Sequence, residues 1–347
     1  PDLAASLAFR PRAAAGEVEW MLGRRAVAAD LARRTVTLHD GTDLTYDGLV
    51  VATGLRPRRL PQQAPSKGRY TLRSVDDVVA LRAAAGPGTR VVVVGGGFIG
   101  CEVADTLHAR GCDVTVVEPL LVPMQRGVGP ELGAALVRHH RTEGVRFVIG
   151  QGVDSLTGAD DRVSGVVLDD GSFLEADVVV ESIGSHANIE WLQGNGLDLS
   201  DGALCDDHLR VEGRPDVVAV GDIARFPNRR FDDVPRRVEH WSMPGETAKR
   251  AAATLSAALD GRSPHDEPWT PLPSFWTDQF GLHLQCFGSP GLADFADVVE
   301  GDLHDLTAGV AVTYHRGSTH VGTVLVNIPS ARHAEFRTAL LRPAQLV

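Results

Sequence analysis

Three glycines and one acidic residue between positions 90 and 118 could together bind a dinucleotide. Gly95, Gly97 and Gly100 have the G-x-G-x-x-G spacing, and Glu118 follows Gly100 by 18 positions. The first glycine permits a tight turn, the second lets backbone N–H groups approach a pyrophosphate, and the third brings a helix close to a strand. A carboxylate at Glu118 would accept hydrogen bonds from both hydroxyls of an adenosine ribose. The spacing therefore predicts a dinucleotide site.

The acidic residue also indicates which dinucleotide binds. A carboxylate at Glu118 would repel the 2′-phosphate of NADPH, and no arginine occurs among residues 119–123. These features favour NADH. Arg126 is the nearest cation, and it is either a ligand of the ribose or phosphates or an ordinary surface arginine.

The fingerprint requires a strand, a turn and a helix in that order. The apolar run at 91–94 predicts a buried parallel strand, and a second strand is predicted at 113–117. Residues 17–53 and the segment after 269 have the pattern of β-rich regions. Helices are predicted at 130–143, 245–259 and 330–341, and a hairpin turn at 169–171. The alternation of strands and helices is typical of the α/β class.

The composition limits the classes of function. The chain has 347 residues, 43% of them apolar, which is enough to form large cores. Its net charge of −11 argues against general nucleic-acid binding, which needs a basic face. No apolar run approaches the roughly 20 residues of a membrane span, so we expect a soluble, cytoplasmic protein. Cys101, Cys112, Cys205 and Cys286 form no C-x-x-C pair, which favours small buried residues over a metal site or a redox dithiol.

Five motifs together resemble the two-dinucleotide flavoprotein reductases, a superfamily that includes the pyridine nucleotide-disulfide oxidoreductases. The motifs are VVATG at 50–54, VVVVGGGFIGCEVA at 91–104, VAVGDIA at 218–224, VEHW at 238–241 and PSFWTDQF at 273–280. The likeness is strongest to the NADH-dependent ferredoxin, rubredoxin and putidaredoxin reductases of bacterial oxygenase and cytochrome P450 systems. It covers essentially the whole chain.

The resemblance implies a fold with two Rossmann-like dinucleotide-binding domains and a small C-terminal α+β domain. The FAD domain would be split by an inserted NADH domain. We expect the FAD domain at 1–75 and 200–268, the NADH domain at 76–199, and a C-terminal interface domain at 269–347.

The resemblance also assigns residues to the two cofactors. Glu102 would face the nicotinamide carboxamide, although a carboxylate in a first helical turn is also favoured by the helix dipole. Asp222 would bind the ribityl chain of FAD, although a Gly-Asp pair after a strand is otherwise a common turn. The remaining residues assigned to NADH are Phe98, Ile99 and Gly184, and those assigned to FAD are Ala52, Thr53, Gly54, Gly221, His240 and Trp241.

Two tryptophans are implied to lie beside the flavin. Trp241 and Trp276 would exclude water from the isoalloxazine ring, whereas their residue type alone is equally typical of half-buried core aromatics. Glu239, His240 and Asp278 either border the same region or are ordinary polar neighbours. No side chain is assigned an acid, base or nucleophilic role, because the cofactor supplies the chemistry.

The implied electron acceptor is a ferredoxin or rubredoxin. Arg229, Arg230, Arg236 and Arg237 either form a docking patch for an acidic partner or are part of a solvated surface. We expect a monomer or a weak dimer. The alternatives are a flavin-dependent NADH oxidase, peroxidase or disulfide reductase of the same superfamily, and a non-catalytic module that binds NAD and FAD.

The implied reaction is transfer of a hydride from NADH C4 to flavin N5, followed by single-electron steps to the partner.

The chain departs from the family pattern in three ways. It lacks the first glycine fingerprint, which binds the FAD pyrophosphate, so we expect a missing N-terminal segment and poor retention of FAD, and the chain as given would then be inactive. Glu181 and Ala187 stand where a small residue and a proline are expected, which bears on the nicotinamide pocket.

Overall fold

The computed structural model describes residues 18–61, 63, 65–263, 267 and 269–341. The chain divides into two units, each built from two stretches of sequence. Unit 1 comprises Pro1–Arg56 and Ala187–Pro271, and unit 2 comprises Pro57–His186 and Leu272–Val347. The helices and the parallel sheet described below confirm the α/β class. The predicted domain boundaries stay predictions.

Unit 2 contains a five-stranded parallel sheet that carries the glycine fingerprint. Its central strand, β7 (Arg90–Val94), has four valines that are at most 4% exposed. Strands buried on both faces read as continuous apolar runs, so this sequence favours the middle of a parallel sheet. The strand order is β6-β13-β7-β8-β9, with β6 (Arg69–Tyr70), β7 (Arg90–Val94), β8 (Asp113–Glu118), β9 (Arg146–Ile149) and β13 (Val178–Glu181). This sheet thus includes residues 69–70, which lie before the boundary at 75/76 that the sequence predicts.

Three helices and a small antiparallel sheet accompany the parallel sheet. Ser74 caps the first helix, because its side chain accepts from the Asp77 N–H while the Asp77 carboxylate accepts from the Ser74 N–H. The elements are α1 (Val75–Ala84), α2 (Phe98–Ala109) and α3 (Gln125–Thr142), with β10 (Val153–Ala159), β11 (Arg162–Leu168) and β12 (Phe173–Glu175). The predicted hairpin turn at 169–171 joins β11 to β12.

The third helix is interrupted near its start. Gly129 has a non-helical backbone with φ of +76°, and the helical path resumes at Pro130. Proline suits the first helical position because its φ is already fixed and its missing N–H is not needed there. The structure therefore confirms a helix from residue 130, and it adds one turn before it that the sequence did not predict.

The C-terminal part of unit 2 is an antiparallel sheet with one helix. Phe287, Leu325, Phe336 and Leu340 pack the helix onto the sheet, and all four are buried. The strand order is β19-β20-β23-β22-β21, with β19 (Ser274–Gln279), β20 (Leu282–Gly288), β21 (Phe295–Glu300), β22 (Val310–Arg316), β23 (Thr319–Val326) and α5 (His333–Leu341). The helix predicted at 330–341 begins as a short 3₁₀ turn at Ser330–Arg332.

Unit 1 surrounds a core that includes Val51, Val217, Ile223 and Met243. Strands β4 (Leu49–Val51) and β16 (Val217–Ala219) pair in parallel, with Leu49 opposite Val217. The two antiparallel groups are β1 (Ala26–Asp30), β2 (Thr35–Leu38) and β3 (Asp43–Thr45), and β17 (Ala224–Asn228) with β18 (Asp232–Arg236). The remaining elements are β15 (Ala203–Leu204) and α4 (Met243–Leu259). The chain crosses between the units at β5 (Leu55–Pro57) and β14 (Ser185–Ala187).

The helix α3 buries a histidine that has no hydrogen-bond partner among the described residues. His140 is 0% exposed, and neither ring nitrogen is bonded. Its ring packs 4.4 Å from the Phe280 ring and 5.7 Å from the Phe147 ring, measured between centroids. Burial lowers the pKa of His140 to about 3. The folded protein therefore keeps this imidazole neutral.

We expect His140→Leu to flatten the dependence of stability on pH. The pKa is depressed in the folded state, so His140 favours folding above the unfolded pKa of 6.5, and that contribution is lost as pH falls towards about 3. The slope from one such group approaches about 1.4 kcal/mol per pH unit. Chemical denaturation at pH 7, 6 and 5 measures it, with the exposed His304→Gln as control. Equal slopes in both variants and the parent would contradict the assignment.

Candidate functional site

The turn between β7 and α2 has no room for side chains at two of its three glycines. Gly95 has φ of +101°, and a Cβ at this position would overlap the carbonyl oxygen of Ser182. A Cβ at Gly100 would overlap the carbonyl oxygen of Gly95. The tight turn and the close approach of helix to strand therefore both require glycine.

Gly97 differs from the other two because the space around it is open. A Cβ at Gly97 would meet no atom of the described chain within 4 Å. Gly97 is also the N-cap residue of α2, and it supplies no side-chain cap to the first-turn N–H groups. These donors and the positive end of the helix dipole suit an anion such as a pyrophosphate. The turn therefore fits the phosphate-binding role that the sequence predicts.

Glu118 is held beside this turn by two backbone donors. Its Oε2 accepts from the Gly96 N–H at 2.7 Å, and its Oε1 accepts from the Leu120 N–H at 2.8 Å. The residue is 7% exposed. A carboxylate has about four acceptor positions, so each oxygen retains capacity for a ribose hydroxyl. Arg126 is exposed at the start of α3, and neither of its two interpretations is tested.

The other residues assigned to NADH have different surroundings. The Phe98 ring packs on the Phe275 ring with centroids 4.6 Å apart, whereas Ile99 is 53% exposed. Gly184 has φ of +96°, and its carbonyl oxygen accepts from the Arg58 N–H at 2.9 Å. Their predicted contacts with NADH stay predictions.

Glu102 does not cap the helix. It is the fifth residue of α2, and the first turn contains no acidic residue. The dipole interpretation of Glu102 was therefore wrong, because the residue lies one turn too far along the helix. Its carboxylate instead accepts a hydrogen bond from the Thr277 hydroxyl at 2.5 Å. Burial raises the pKa of Glu102, Asp278 adds to the rise, and the Thr277 hydrogen bond opposes it.

Glu181 forms a buried ion pair rather than facing open space. Its side chain is 0% exposed and lies 2.8 Å from the Arg69 Nε, with a second contact of 3.1 Å to Arg69 Nη2. The Leu60 N–H also donates to Glu181. A carboxylate with these partners is compensated in place, so the departure at this position is explained by a partner on β6. Sequence reasoning missed Arg69 because the two residues are 112 positions apart.

In unit 1 the residues assigned to FAD lie at the ends of two paired strands. Parallel pairing of β4 with β16 brings the Ala52-Thr53-Gly54 turn and the Gly221-Asp222 turn to the same edge. The Thr53 hydroxyl donates to the Asn188 carbonyl oxygen, and the Asn188 side-chain amide donates to the Thr53 carbonyl oxygen at 3.0 Å. Ligands of α/β sheets bind at this carboxyl edge.

The N-terminus of α4 is fixed to the same edge. The buried Thr247 hydroxyl accepts from the Gly221 N–H at 2.9 Å and donates to the Met243 carbonyl oxygen at 2.7 Å. Met243 in turn donates its N–H to the His240 carbonyl oxygen. Burial lowers the pKa of His240 to about 4. A strand edge and a helix N-terminus suit a large, partly anionic cofactor such as FAD, and the neutral imidazole of His240 adds no charge to this site.

The two tryptophans assigned to the flavin are exposed. Trp241 is 78% exposed and Trp276 is 49% exposed. The half-buried core interpretation was therefore wrong for Trp241, whereas Trp276 lies on the outward face of β19, between the buried Phe275 and Thr277, and keeps about half of its surface covered. Large exposed aromatics of this kind are often used in binding. Their position beside a flavin stays a prediction.

Most arginines of the segment 225–237, called the arginine segment below, form ion pairs with nearby carboxylates. Arg236 makes a two-point contact with Asp232 at 2.5 and 3.0 Å. Arg237 is 11% exposed and lies 2.7 Å from both Asp201 and Glu239. Arg230 donates to the Thr270 carbonyl oxygen, and Arg229, 57% exposed, lies 3.2 Å from Asp233. The segment is thus not the simple basic patch that its arginines suggested.

The four cysteines are buried, which confirms the prediction from their spacing. Burial raises the pKa of the Cys101, Cys112, Cys205 and Cys286 thiols. Among the described residues no three His, Cys, Asp or Glu side chains are grouped as a metal site would require. None of the helices within the described residues is both long enough and apolar enough to span a membrane.

Comparison with known proteins places these features in a family. Residues 5–248 match the pyridine nucleotide-disulphide oxidoreductase family. The chain is 33% identical over 326 residues to putidaredoxin reductase of Pseudomonas putida, covering 91% of this chain and 74% of that one. It is 35% identical over 340 residues to the ferredoxin reductase component of the chlorobenzene dioxygenase of Cupriavidus sp. strain PS12, covering 95% and 78%.

Solved structures give the same result. The fold matches the ferredoxin reductase for the CYP199A2 system from Rhodopseudomonas palustris with a TM-score of 0.85 and 32% identity, covering 96% of this chain and 80% of that one. It matches a chain of the covalent putidaredoxin reductase–putidaredoxin complex with a TM-score of 0.80 and 30% identity, covering 92% and 74%. Both matches support two dinucleotide-binding domains with a C-terminal domain.

We expect Gly97→Ala to weaken NADH binding without destabilising the fold. The added methyl group meets no protein atom, so it occupies only the space open to a pyrophosphate. Loss of close backbone approach should lower NADH affinity by about tenfold or more, equivalent to at least about 1.4 kcal/mol. Fluorescence titration measures the affinity and thermal unfolding the stability. Gly86→Ala, equally unobstructed but preceding β7, is the control. A parental affinity in Gly97→Ala would exclude the pyrophosphate from this turn.

Proposed function

This chain belongs to the pyridine nucleotide-disulphide oxidoreductase family, and on that basis we propose that it is an NADH-dependent, FAD-containing ferredoxin reductase. It takes electrons from NADH and delivers them through FAD to a ferredoxin-type iron–sulfur protein or rubredoxin, which supplies an oxygenase or cytochrome P450. The observation that carries the proposal is the glycine turn with Glu118 bonded to its backbone, in a chain whose relatives are reductase components of such systems.

On the NADH side, the protein binds the dinucleotide and orients it. The first-turn N–H groups of α2 donate hydrogen bonds to the pyrophosphate, and the Glu118 carboxylate accepts hydrogen bonds from the adenosine ribose hydroxyls. A carboxylate already fixed by two backbone donors cannot move away from a 2′-phosphate, so NADPH is disfavoured. Glu102, farther along α2, is proposed to face the nicotinamide carboxamide.

On the FAD side, the protein supplies a sheet edge, a helix N-terminus and aromatic cover. When bound, FAD accepts a hydride and releases electrons singly, which side chains cannot do. Asp222 would accept hydrogen bonds from the ribityl hydroxyls, and the N-terminus of α4 would favour negative charge near it. The exposed ring of Trp241 is available to exclude water from the bound cofactor.

The proposal of a ferredoxin partner rests on the charged residues of the arginine segment and on the similar proteins. One similar structure is a reductase joined to putidaredoxin. We propose that an acidic ferredoxin docks on the arginine segment, with Arg229 contributing most because it is 57% exposed and its ion pair to Asp233 is solvated. A cytoplasmic location and a monomeric or weakly dimeric state stay predictions. The buried cysteines give no support to a disulfide reductase among the described residues.

The absent first glycine fingerprint is expected to weaken FAD retention, so the test supplies FAD in excess, and we expect NADH to reduce the fraction of FAD that this chain then binds. In anaerobic solution with added FAD, NADH should bleach the visible flavin absorbance, and NADPH should do so at least about tenfold less efficiently because of Glu118. A [2Fe–2S] ferredoxin should then be reduced in the same cuvette. Stopped-flow absorbance measures both steps, with free FAD as the control. A flavin-containing protein that NADH does not bleach would favour the non-catalytic binding module.

We expect Arg229→Glu to weaken ferredoxin docking modestly. Reversing one exposed charge should raise the KM for ferredoxin by about threefold to fivefold at low salt, and the effect should shrink at high salt. Steady-state kinetics with ferredoxin and with a small artificial acceptor separate docking from NADH oxidation. Arg33→Glu is the matched control, since Arg33 is 85% exposed in the same unit. Equal effects of the two reversals would show that only net charge matters.

A further inference from the structure

The inward side chains of β19 connect this strand to the NADH-binding helix. Along β19 the buried residues Phe275, Thr277 and Gln279 alternate with the more exposed Ser274, Trp276 and Asp278. Thr277 bonds to Glu102 of α2, and the N–H of Phe280, just after the strand, donates to Asp105 of the same helix at 3.0 Å. The strand is thus bonded to α2 at two points one helical turn apart.

The direction of the Thr277 hydrogen bond is fixed by a second residue. Thr277 and Gln279 are each 1% exposed. The Gln279 amide Nε2 donates to Thr277 Oγ1 at 3.0 Å and to the Met124 sulfur at 3.4 Å. Because Thr277 accepts from Gln279, its single hydroxyl proton remains for Glu102. Thr277 is therefore a donor to the carboxylate.

This arrangement immobilises one oxygen of Glu102. Its Oε1 accepts from Thr277, and within the described part of the chain no hydrogen-bond donor reaches the other oxygen. The residue is half-buried, and this second oxygen is not among the fully buried side-chain atoms that lack a partner, so it remains accessible. An additional N–H donor would be well accommodated.

We propose that Thr277, oriented by Gln279, is a positioning residue that holds the Glu102 carboxylate to accept a hydrogen bond from the nicotinamide carboxamide. The inference rests on the proposed function, because it requires NADH to occupy the glycine turn. Thr277 acts through Glu102 and touches no cofactor atom itself.

The charges around Glu102 give this arrangement a pH dependence. Burial and Asp278 on β19 raise the pKa of Glu102, and the Thr277 hydroxyl opposes them. A second acidic residue, Asp105 on α2, lies close by and accepts a hydrogen bond from the Phe280 N–H just after β19. Protonation of Glu102 removes the charged acceptor, so NADH affinity should fall as pH falls through this pKa. Without the Thr277 donor the pKa rises further, which moves the fall in affinity to higher pH.

The experiment compares two ligands that differ only at the nicotinamide end. NADH and ADP-ribose are titrated by calorimetry between pH 5 and pH 8 into the parent chain, Thr277→Val, Thr277→Ser, Gln279→Met and Glu102→Gln. Thr313→Val is the matched control, because Thr313 is a half-buried threonine on β22, outside the contacts with α2 described above. ADP-ribose reports folding and the adenosine half of the site.

We expect Thr277→Val to lower NADH affinity about fivefold at neutral pH and to move the pH midpoint of NADH affinity upward. Gln279→Met should have a smaller effect in the same direction, and Thr277→Ser should restore affinity to within about twofold. ADP-ribose affinity should stay within about twofold in all variants. Glu102→Gln should remove the pH dependence while retaining an acceptor oxygen.

Four outcomes would overturn the inference. Parallel losses of NADH and ADP-ribose affinity in Thr277→Val and Gln279→Met would show a structural role only. An unchanged pH midpoint in both variants would show that Thr277 does not act through Glu102. A parent chain that binds ADP-ribose but gains nothing from the nicotinamide would reject Glu102 as its acceptor, whereas a parent that binds neither ligand would also reject the proposed function.

Discussion

The close contact of α2 with the turn after β7 is the constraint on which the NADH side of this protein depends. Gly95 and Gly100 allow the backbone of the helix, the turn and the strand end at Ser182 to approach without side chains between them. That approach places the first N–H groups of the helix at the carboxyl edge of the parallel sheet, where Glu118 also ends its strand. A larger residue at either glycine would displace the donors and the carboxylate together.

The same helix is held from its other side by the C-terminal sheet. Phe275 packs on Phe98, Thr277 donates to Glu102, and the Phe280 N–H donates to Asp105. Residues assigned to NADH are therefore positioned by a segment more than 150 positions away in sequence. The PSFWTDQF motif thus has two faces: its inward residues fix α2, while Trp276 is 49% exposed. This division leaves the outward residues of the motif exposed while its inward residues hold the helix.

The sequence allowed prediction of what depends on local pattern. The strand at 91–94, the helix from 130, the hairpin at 169–171 and the glycine turn follow from apolar periodicity and from residues with special backbone preferences. Pairings between distant residues did not follow. Arg69 with Glu181 and Thr277 with Glu102 join residues far apart, and only the tertiary fold brings them together. The alternation along 274–279 was a usable signal that Thr277 points inward, although it could not identify the partner.

The arginine segment shows why charge patterns in a sequence mislead most at surfaces. Residues 225–237 contain five arginines, but the acidic residues that neutralise them include Asp198, Asp201 and Asp207, which precede the segment and do not appear in its pattern. A paired arginine attracts a partner only weakly, since the partner must compete with a carboxylate already in place. The proposed docking of an acidic ferredoxin on this segment would therefore depend on how many of these ion pairs are solvated. Among the four arginines assigned to docking, Arg229 combines the greatest exposure with the most exposed carboxylate partner, so any attraction for an acidic surface should be concentrated there.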